Sequence, residues 1–339
     1  MKTHRNIPFF VPHAGCPHCC VFCSQVKITG QRAGKDLQTE LRELRELLDS
    51  CKPDFSKESR IAFFGGSFTA IEKSRMEALL SVAAEYIEKG VASGIRISTR
   101  PDCIDEEILR TLKKYGVTEI ELGIQSTNDA VLAKCERGHT AADSKRACAL
   151  VKEHGFTLGG QMMVGLPGAG AESELQTARD IVAWGAEEAR VYPLVVFEGT
   201  KLYEMTLAGE YVPLAEEETV KRAADCCRVF VDAGIALLKT GLHASEELVS
   251  APFGANHPAI GEKVQGRVYA DIICALAGES KGGMLEVKIR REDISMLNGF
   301  GREALGYILK TTHARGIKVL PARRRRFDPS VKKLFTEQR

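Results

Sequence analysis

Short apolar runs alternate along the chain with stretches whose apolar residues recur every three or four positions. The first run is Ile7-Pro8-Phe9-Phe10-Val11. Over 36–48, leucines at 37, 41, 44, 47 and 48 fall on one helical face. A second strand is predicted over 60–64, ending in Gly65-Gly66-Ser67, with a helix over 72–89. A third strand over 94–99 precedes a helix over 105–115, for which Asp105 is a suitable N-cap. The fourth strand, 118–125, is followed by helical segments near 129–135 and 141–154. The fifth, 156–164, closes on Gly165-Leu166-Pro167-Gly168, and a helix over 172–184 leads to a sixth over 189–196. This alternation predicts βα units and a mostly parallel sheet. Six units in about 195 residues are too few for a closed eight-unit barrel of about 250. The expected α/β fold is therefore a partial, open (β/α)6 barrel of the TIM type.

A helix over 215–232 and an apolar run at 235–238 follow, and beyond about residue 240 the pattern changes. Residues 241–257 read as loop and 261–277 as helix. The segments 284–289, 303–313 and 317–320 suggest a small α+β appendage. The expected division is a core domain over 1–240 and a small C-terminal domain with a basic tail over 241–339.

Composition narrows the class. Hydrophobic residues make up 44% of the 339, enough for a sizeable core, and the net charge of +2 demands no polyanionic partner for the molecule as a whole. No apolar stretch approaches the roughly 18 residues of a membrane span, so no membrane contact is expected. The N-terminal apolar run is broken by Pro12 and His13, unlike a signal peptide. An odd count of 11 cysteines does not suit a secreted disulfide framework, and the expected compartment is the cytoplasm.

Four cysteines fall within eight residues, and Cys16, Cys20 and Cys23 form a Cys-x3-Cys-x2-Cys set. Thiolates are the ligands of iron–sulfur clusters. Three ligands on a four-iron cluster leave one iron open, as a catalytic metal site requires. Cys19 allows a second reading, two adjoining Cys-x2-Cys pairs on zinc. Structural zinc sites separate such pairs by a dozen or more residues, which these cysteines do not. A zinc-stabilised RNA-binding module stays open as the non-enzymatic alternative.

The cysteine loop after the first strand, with Phe22 just before its last cysteine, resembles the radical S-adenosylmethionine superfamily. Further motifs resemble its Elongator-catalytic-subunit branch, related to oxygen-independent coproporphyrinogen oxidase. They are Phe64-Gly65-Gly66-Ser67-Phe68-Thr69, Ser98-Thr99-Arg100-Pro101-Asp102, Glu121-Leu122-Gly123-Ile124-Gln125-Ser126, Arg137-Gly138-His139-Thr140 and Met162-Met163-Val164-Gly165-Leu166-Pro167-Gly168. The resemblance spans about residues 7–240. It implies a [4Fe–4S] cluster on Cys16, Cys20 and Cys23, S-adenosylmethionine as cofactor, and an electron donor such as flavodoxin or ferredoxin. Gly65, Gly66 and Ser67 correspond to the motif that holds the methionine amine through its backbone, with Ser67 in place of a glutamate. Gln125 corresponds to a ribose contact and Arg137 to the partner of the methionine carboxylate. Gly165, Leu166 and the backbone near Tyr192 would border the adenine. His13, His18 and His139 lie near these motifs without an assigned role.

The implied activity is reductive cleavage of S-adenosylmethionine and hydrogen abstraction from a substrate, RNA or transfer RNA in this branch. A small molecule such as a porphyrin precursor is the alternative. Against that alternative, Arg100 stands where those oxidases tend to carry an acid. No counterpart of the branch's acetyltransferase domain is expected, since about 100 residues follow the barrel in this sequence with no glycine-rich acetyl-coenzyme A motif among them. Residues 307–339 carry ten Lys/Arg against two Asp/Glu, including Arg323-Arg324-Arg325-Arg326. That run suits phosphate backbones and equally a solvated tail.

Overall fold

The computed structural model describes residues 3–11, 16–17, 19–24, 27, 35–52, 57–280 and 282–334. His13, His18 and the end of the basic tail lie outside them. Among the described residues the main sheet has seven strands, each parallel to its neighbours. They are β1 (Thr3–Val11), β2 (Lys57–Gly65), β3 (Gly94–Thr99), β4 (Val117–Gln125), β5 (Thr157–Val164), β6 (Glu188–Pro193) and β7 (Ala236–Thr240). They lie side by side in sequence order, and β1 does not pair with β7, so the barrel is partial and open. The run at 235–238 thus adds a seventh strand to the six expected. The sixth expected strand ends early, at Pro193. Val195–Val196 leaves the sheet to pair antiparallel with Phe253–Gly254, inside the stretch read as loop.

The helices that cover the sheet are α1 (Leu37–Asp49), α2 (Lys73–Glu88), α3 (Glu106–Lys114), α4 (Asp129–Lys134), α5 (Ala141–Glu153), α6 (Ala171–Ala183), α7 (Lys201–Leu207) and α8 (Glu216–Asp232). Local chemistry starts them. Asp105 caps α3 by accepting from the Ile108 N–H, and Thr140 with Asp143 forms a reciprocal capping box on α5. Each strand shows two faces. On β3 and β4, Ile95, Ile97, Ile120, Leu122 and Ile124 are fully buried against helices. Each such side chain contributes about 1.5–3 kcal/mol by leaving water. The alternate positions, Arg96, Ser98, Glu119, Glu121, Gly123 and Gln125, point into the barrel, as a period of two requires.

Beyond the barrel come α9 (Ile260–Ala277), β8 (Met284–Arg290), α10 (Glu303–Thr312), β9 (Gly316–Ala322) and β10 (Ser330–Leu334). The small sheet has β8 at its centre, parallel to β9 and antiparallel to β10. The third strand was not expected. It takes up residues 330–334 of the basic segment, which is therefore a strand of the fold over that length. One hydrophobic cluster joins Ile7, Phe63 and Ile97 of the barrel to Val264, Val287, Ile308 and Phe327 of the appendage. The core passes position 240 without a break.

Candidate active site

The C-terminal ends of the strands build one cavity of about 480 Å3, into which the cysteine loop closes. Parallel βα units place their functional residues at this end. The backbone makes the first part of the wall. Gly65 ends β2 with a φ of +121°, and a Cβ there would stand 2.7 Å from the Val11 carbonyl oxygen. Only glycine permits both that angle and that approach. The Gly66 N–H donates to the same carbonyl at 3.2 Å, tying the turn to the strand that leads into the cysteine loop.

The loop is docked by its apolar side. Val21 is buried with Val131, Cys135, Leu166 and Leu202, its N–H donates to Cys135 O at 3.2 Å, and its carbonyl accepts from Leu202 N–H at 2.8 Å. This leaves Cys16, Cys19, Cys20 and Cys23 lining the cavity. Cys20 is buried, and Arg137 Nη1 donates to its sulfur at 3.2 Å. Burial, with Cys20 and Cys16 nearby, pushes the Cys23 thiol up to about 12. A metal must therefore displace its proton to bind there.

Arg137 fills the far side. Its Nη2 donates to Gly123 O at 2.6 Å, while Nε has no partner among the described residues. Gly123 makes room for it, since a Cβ would stand 3.0 Å from both Arg137 Nη2 and Gln125 Nε2. Gln125 holds a φ of +67°, rare for a residue with a side chain, and its Oε1 is buried without a partner among the described residues. Such strain marks positions that the surroundings over-determine. Arg100, 2% exposed, is held by Asp102 through Nε at 2.9 Å and Nη2 at 2.8 Å, and Nη2 also donates to Arg137 O. Its Nη1 is buried with no partner among the described residues. His139 sits behind them, with Nε2 3.3 Å from Ile124 O. Burial and the positive charge of Arg137 lower its pKa to about 4, against the pull of Asp102, so the ring is neutral at pH 7.

Below the cavity the barrel is closed by ion pairs. Arg96 bonds Glu121 at 2.9 Å and Glu188 at 2.5 and 3.0 Å, and Arg190 bonds Glu121 at 2.5 and 2.9 Å. Gln161 joins the cavity wall to this layer by donating to Ser98 Oγ and Glu121 Oε2. Burial works to raise the Glu121 carboxyl, but Arg190 and Arg96 outweigh it and hold it below the usual carboxylate range.

Of the positions expected from the sequence, Cys16, Cys20, Cys23, Gly65, Gly66, Gln125 and Arg137 meet on this lining. Four others lie outside it. The Ser67 hydroxyl is turned into the fold, 2.8 Å from Thr99 Oγ1, where it also accepts from the Arg100 N–H. Gly165 has its polar groups engaged: its N–H donates to Glu174 Oε1 at 2.7 Å and its carbonyl accepts from Tyr211 OH at 2.6 Å. Leu166 is buried beside Val21. Tyr192 stands on β6 opposite Met163. Sequence reading gave no role to Thr99, Gly123 or Gln161, and used Arg100 only as a difference from another branch. The available signal was polar residues at every second position of central parallel strands, which ordinarily read as continuous apolar runs.

No group of three or more His, Cys, Asp or Glu among the described residues is arranged to hold a single metal ion. A four-iron cluster asks less convergence of its thiolates, since each binds a different iron. The lining fits that group and a zwitterionic cofactor. It offers thiols on one side. On the other stand a buried guanidinium with no acid partner among the described residues and three unpartnered polar atoms.

Comparison with known proteins agrees with this geometry. Residues 10–181 match the model of the radical SAM superfamily, and residues 186–270 that of the radical SAM C-terminal domain. An uncharacterized protein of Methanocaldococcus jannaschii is 30% identical over 220 residues, covering 62% of this chain and 67% of that one. The tRNA uridine(34) acetyltransferase of the same organism is 28% identical over 244 residues, 61% of this chain. The match spans 45% of that enzyme, so less than half of its length is represented. Among solved structures, the archaeal Elp3 of Methanocaldococcus infernus superposes with a TM-score of 0.61 over 78% of this chain and 62% of that one, at 22% identity. At that identity the likeness is one of fold. With half of its residues matched to the superfamily model, the chain belongs to the radical SAM superfamily, and it is an enzyme of that kind.

Proposed function

We propose that Cys16, Cys20 and Cys23 hold a [4Fe–4S] cluster at the mouth of the cavity, that S-adenosylmethionine binds beside it, and that the substrate is RNA. The observation that carries the reading is the cavity in which the three cysteines face Arg137, Gln125 and Arg100, each of these with an unpartnered buried polar atom. When bound, the cluster supplies one electron that splits S-adenosylmethionine into methionine and a 5′-deoxyadenosyl radical, which takes a hydrogen atom from the substrate.

The protein's own residues do the rest. Arg137 offers the cofactor carboxylate a guanidinium that no acid among the described residues neutralises, and its Nη1 also steadies the Cys20 sulfur. Carbonyl groups of the Gly65-Gly66 turn accept from the methionine amine, since the Gly66 N–H is already engaged with Val11 O. Gln125 Oε1 accepts from a hydroxyl such as those of ribose. Arg100 presents Nη1 as a further donor, oriented by Asp102. The ion-paired layer beneath excludes water from the barrel side. RNA as substrate is supported by the transfer-RNA enzyme among the relatives.

The test is anaerobic reconstitution with iron and sulfide, reduction with dithionite, and assay of 5′-deoxyadenosine from S-adenosylmethionine in the presence of bulk transfer RNA. Wild-type protein is expected to load iron and sulfide and make 5′-deoxyadenosine, and Cys20→Ala to do neither. Zinc copurifying at one per chain, with no cluster formed, would overturn the reading.

A further inference from the structure

The basic segment is not a loose tail. Residues 323–329 form a turn between β9 and β10, and every second arginine of the run is anchored. Arg324 donates to Asp328 O at 2.9 Å and pairs with its carboxylate. Arg326 turns inward, giving Nη1 to Leu237 O on β7 at 2.9 Å and Nη2 to Gln265 at 2.5 Å. Phe327, at a φ of +57°, stacks near Tyr269 with ring centroids 4.9 Å apart, and its N–H donates to that tyrosine's hydroxyl at 2.7 Å. The other two, Arg323 and Arg325, are thereby held outward and exposed, with no acid partner among the described residues. They share a shallow hollow with Arg290 and Arg291 at the end of β8, in which Glu292 and Asp328 are the acids.

The strand register extends this surface. On β8, Leu285, Val287 and Ile289 enter the core, so Glu286, Lys288 and Arg290 face out. Glu286 is flanked by Lys318 of β9 and Lys332 of β10. The outer face of the sheet thus carries Lys288, Lys318 and Lys332 against Glu286, which Lys288 approaches to 3.7 Å, while Arg290 at the end of β8 is already bonded to Asp293 and paired with Glu292. Alternate residues of a strand stand about 7 Å apart and neighbouring strands about 4.8 Å. The cations therefore form a flat array that runs into the arginine turn.

We propose that this sheet face and turn are a docking surface for the phosphate backbone of RNA. The inference rests on the RNA-substrate reading above and adds where the substrate is held outside the cavity. A polyanion complements an array whose acids are outnumbered, and a turn fixed by Arg326 and Phe327 presents its guanidinium groups without first having to be ordered. Arginine is the cation suited to paired contacts with phosphate oxygens.

The test compares full-length reconstituted protein with an R323A/R325A variant and a K318A/K332A variant. Binding of bulk transfer RNA is measured by fluorescence anisotropy from 50 to 200 mM salt. Each double variant is expected to bind at least about tenfold more weakly and to lower the salt slope by roughly 0.7–0.9 for each phosphate it no longer neutralises. Circular dichroism and iron content report that the variants remain folded and loaded. An unchanged slope in both variants would overturn the surface. So would tighter binding of the wild type to vesicles containing anionic phospholipid than to transfer RNA. Protein that loads its cluster yet ignores transfer RNA sinks this surface and the RNA substrate but not the radical chemistry. Protein that binds transfer RNA through these residues but never assembles a cluster sinks the radical reading alone.

Discussion

Arg137 donates to the Cys20 sulfur through Nη1 and to the Gly123 carbonyl through Nη2, which together fix its plane. A buried positive charge of this kind decides the state of its neighbours. His139, 4% exposed behind it, is held neutral with a pKa near 4, far below the ordinary 6.5. The folded protein therefore resists a proton that the unfolded chain accepts. The stability this provides is present above about pH 6.5 and is lost as the pH falls toward 4, by up to about 3 kcal/mol. Denaturant unfolding of wild type and His139→Gln between pH 7 and 4.5 checks it: the wild type should lose stability more steeply, and parallel curves would contradict the assignment. Residue identities made part of this legible. Cysteines at characteristic spacing and an arginine downstream could be placed from the chain alone. The left-handed backbone of Gln125 and the spare Nη1 of Arg100 could not, because each exists only through partners distant in sequence.

Elements hold these residues by means that lie outside the motifs. The Gly165 turn at the end of β5 is fastened by Glu174 on α6, and Glu174 is fastened by Arg222 on α8, 2.7 Å from its Nε. Both side chains are nearly buried. Removing one partner of such a pair leaves an uncompensated charge and costs about 3–5 kcal/mol. Arg222→Ala is expected to lower the unfolding free energy by that order, and a second change, Glu174→Gln, to restore part of it. Additive losses in the double variant would show that the pair acts otherwise. At this scale the sequence pattern predicted most strands and helices but marked β7 only as an apolar run, without assigning it to the sheet. That strand is five residues long and turns Lys239 and Thr240 among its few apolar positions, too short a signal for a period of two. The third strand of the appendage was hidden by Lys332, exposed on an edge strand, and Lys333, half-buried with its amine on Glu279 O, which together read as tail.

The whole molecule shares one main core. Leu237, Val264, Ile289 and Phe327 belong to the same cluster as the barrel strands, and Arg326 bonds β7 directly. A change of sequence pattern near 240 therefore need not mark a place where folding is separable. Thermal unfolding should be a single transition, with fluorescence of the one tryptophan, Trp184 in the barrel half, coinciding with far-ultraviolet circular dichroism. Two separated transitions would mean that the halves fold independently. The order of the main sheet carries a consequence for how the chain is made. Each strand lies next to the strand before it, and the first never has to find the last. A ring would wait for that final, most distant pairing, whereas this sheet can be laid down one unit at a time as the chain emerges from the ribosome. Every new strand meets a finished edge, so little unpaired edge is left waiting for a distant partner during synthesis.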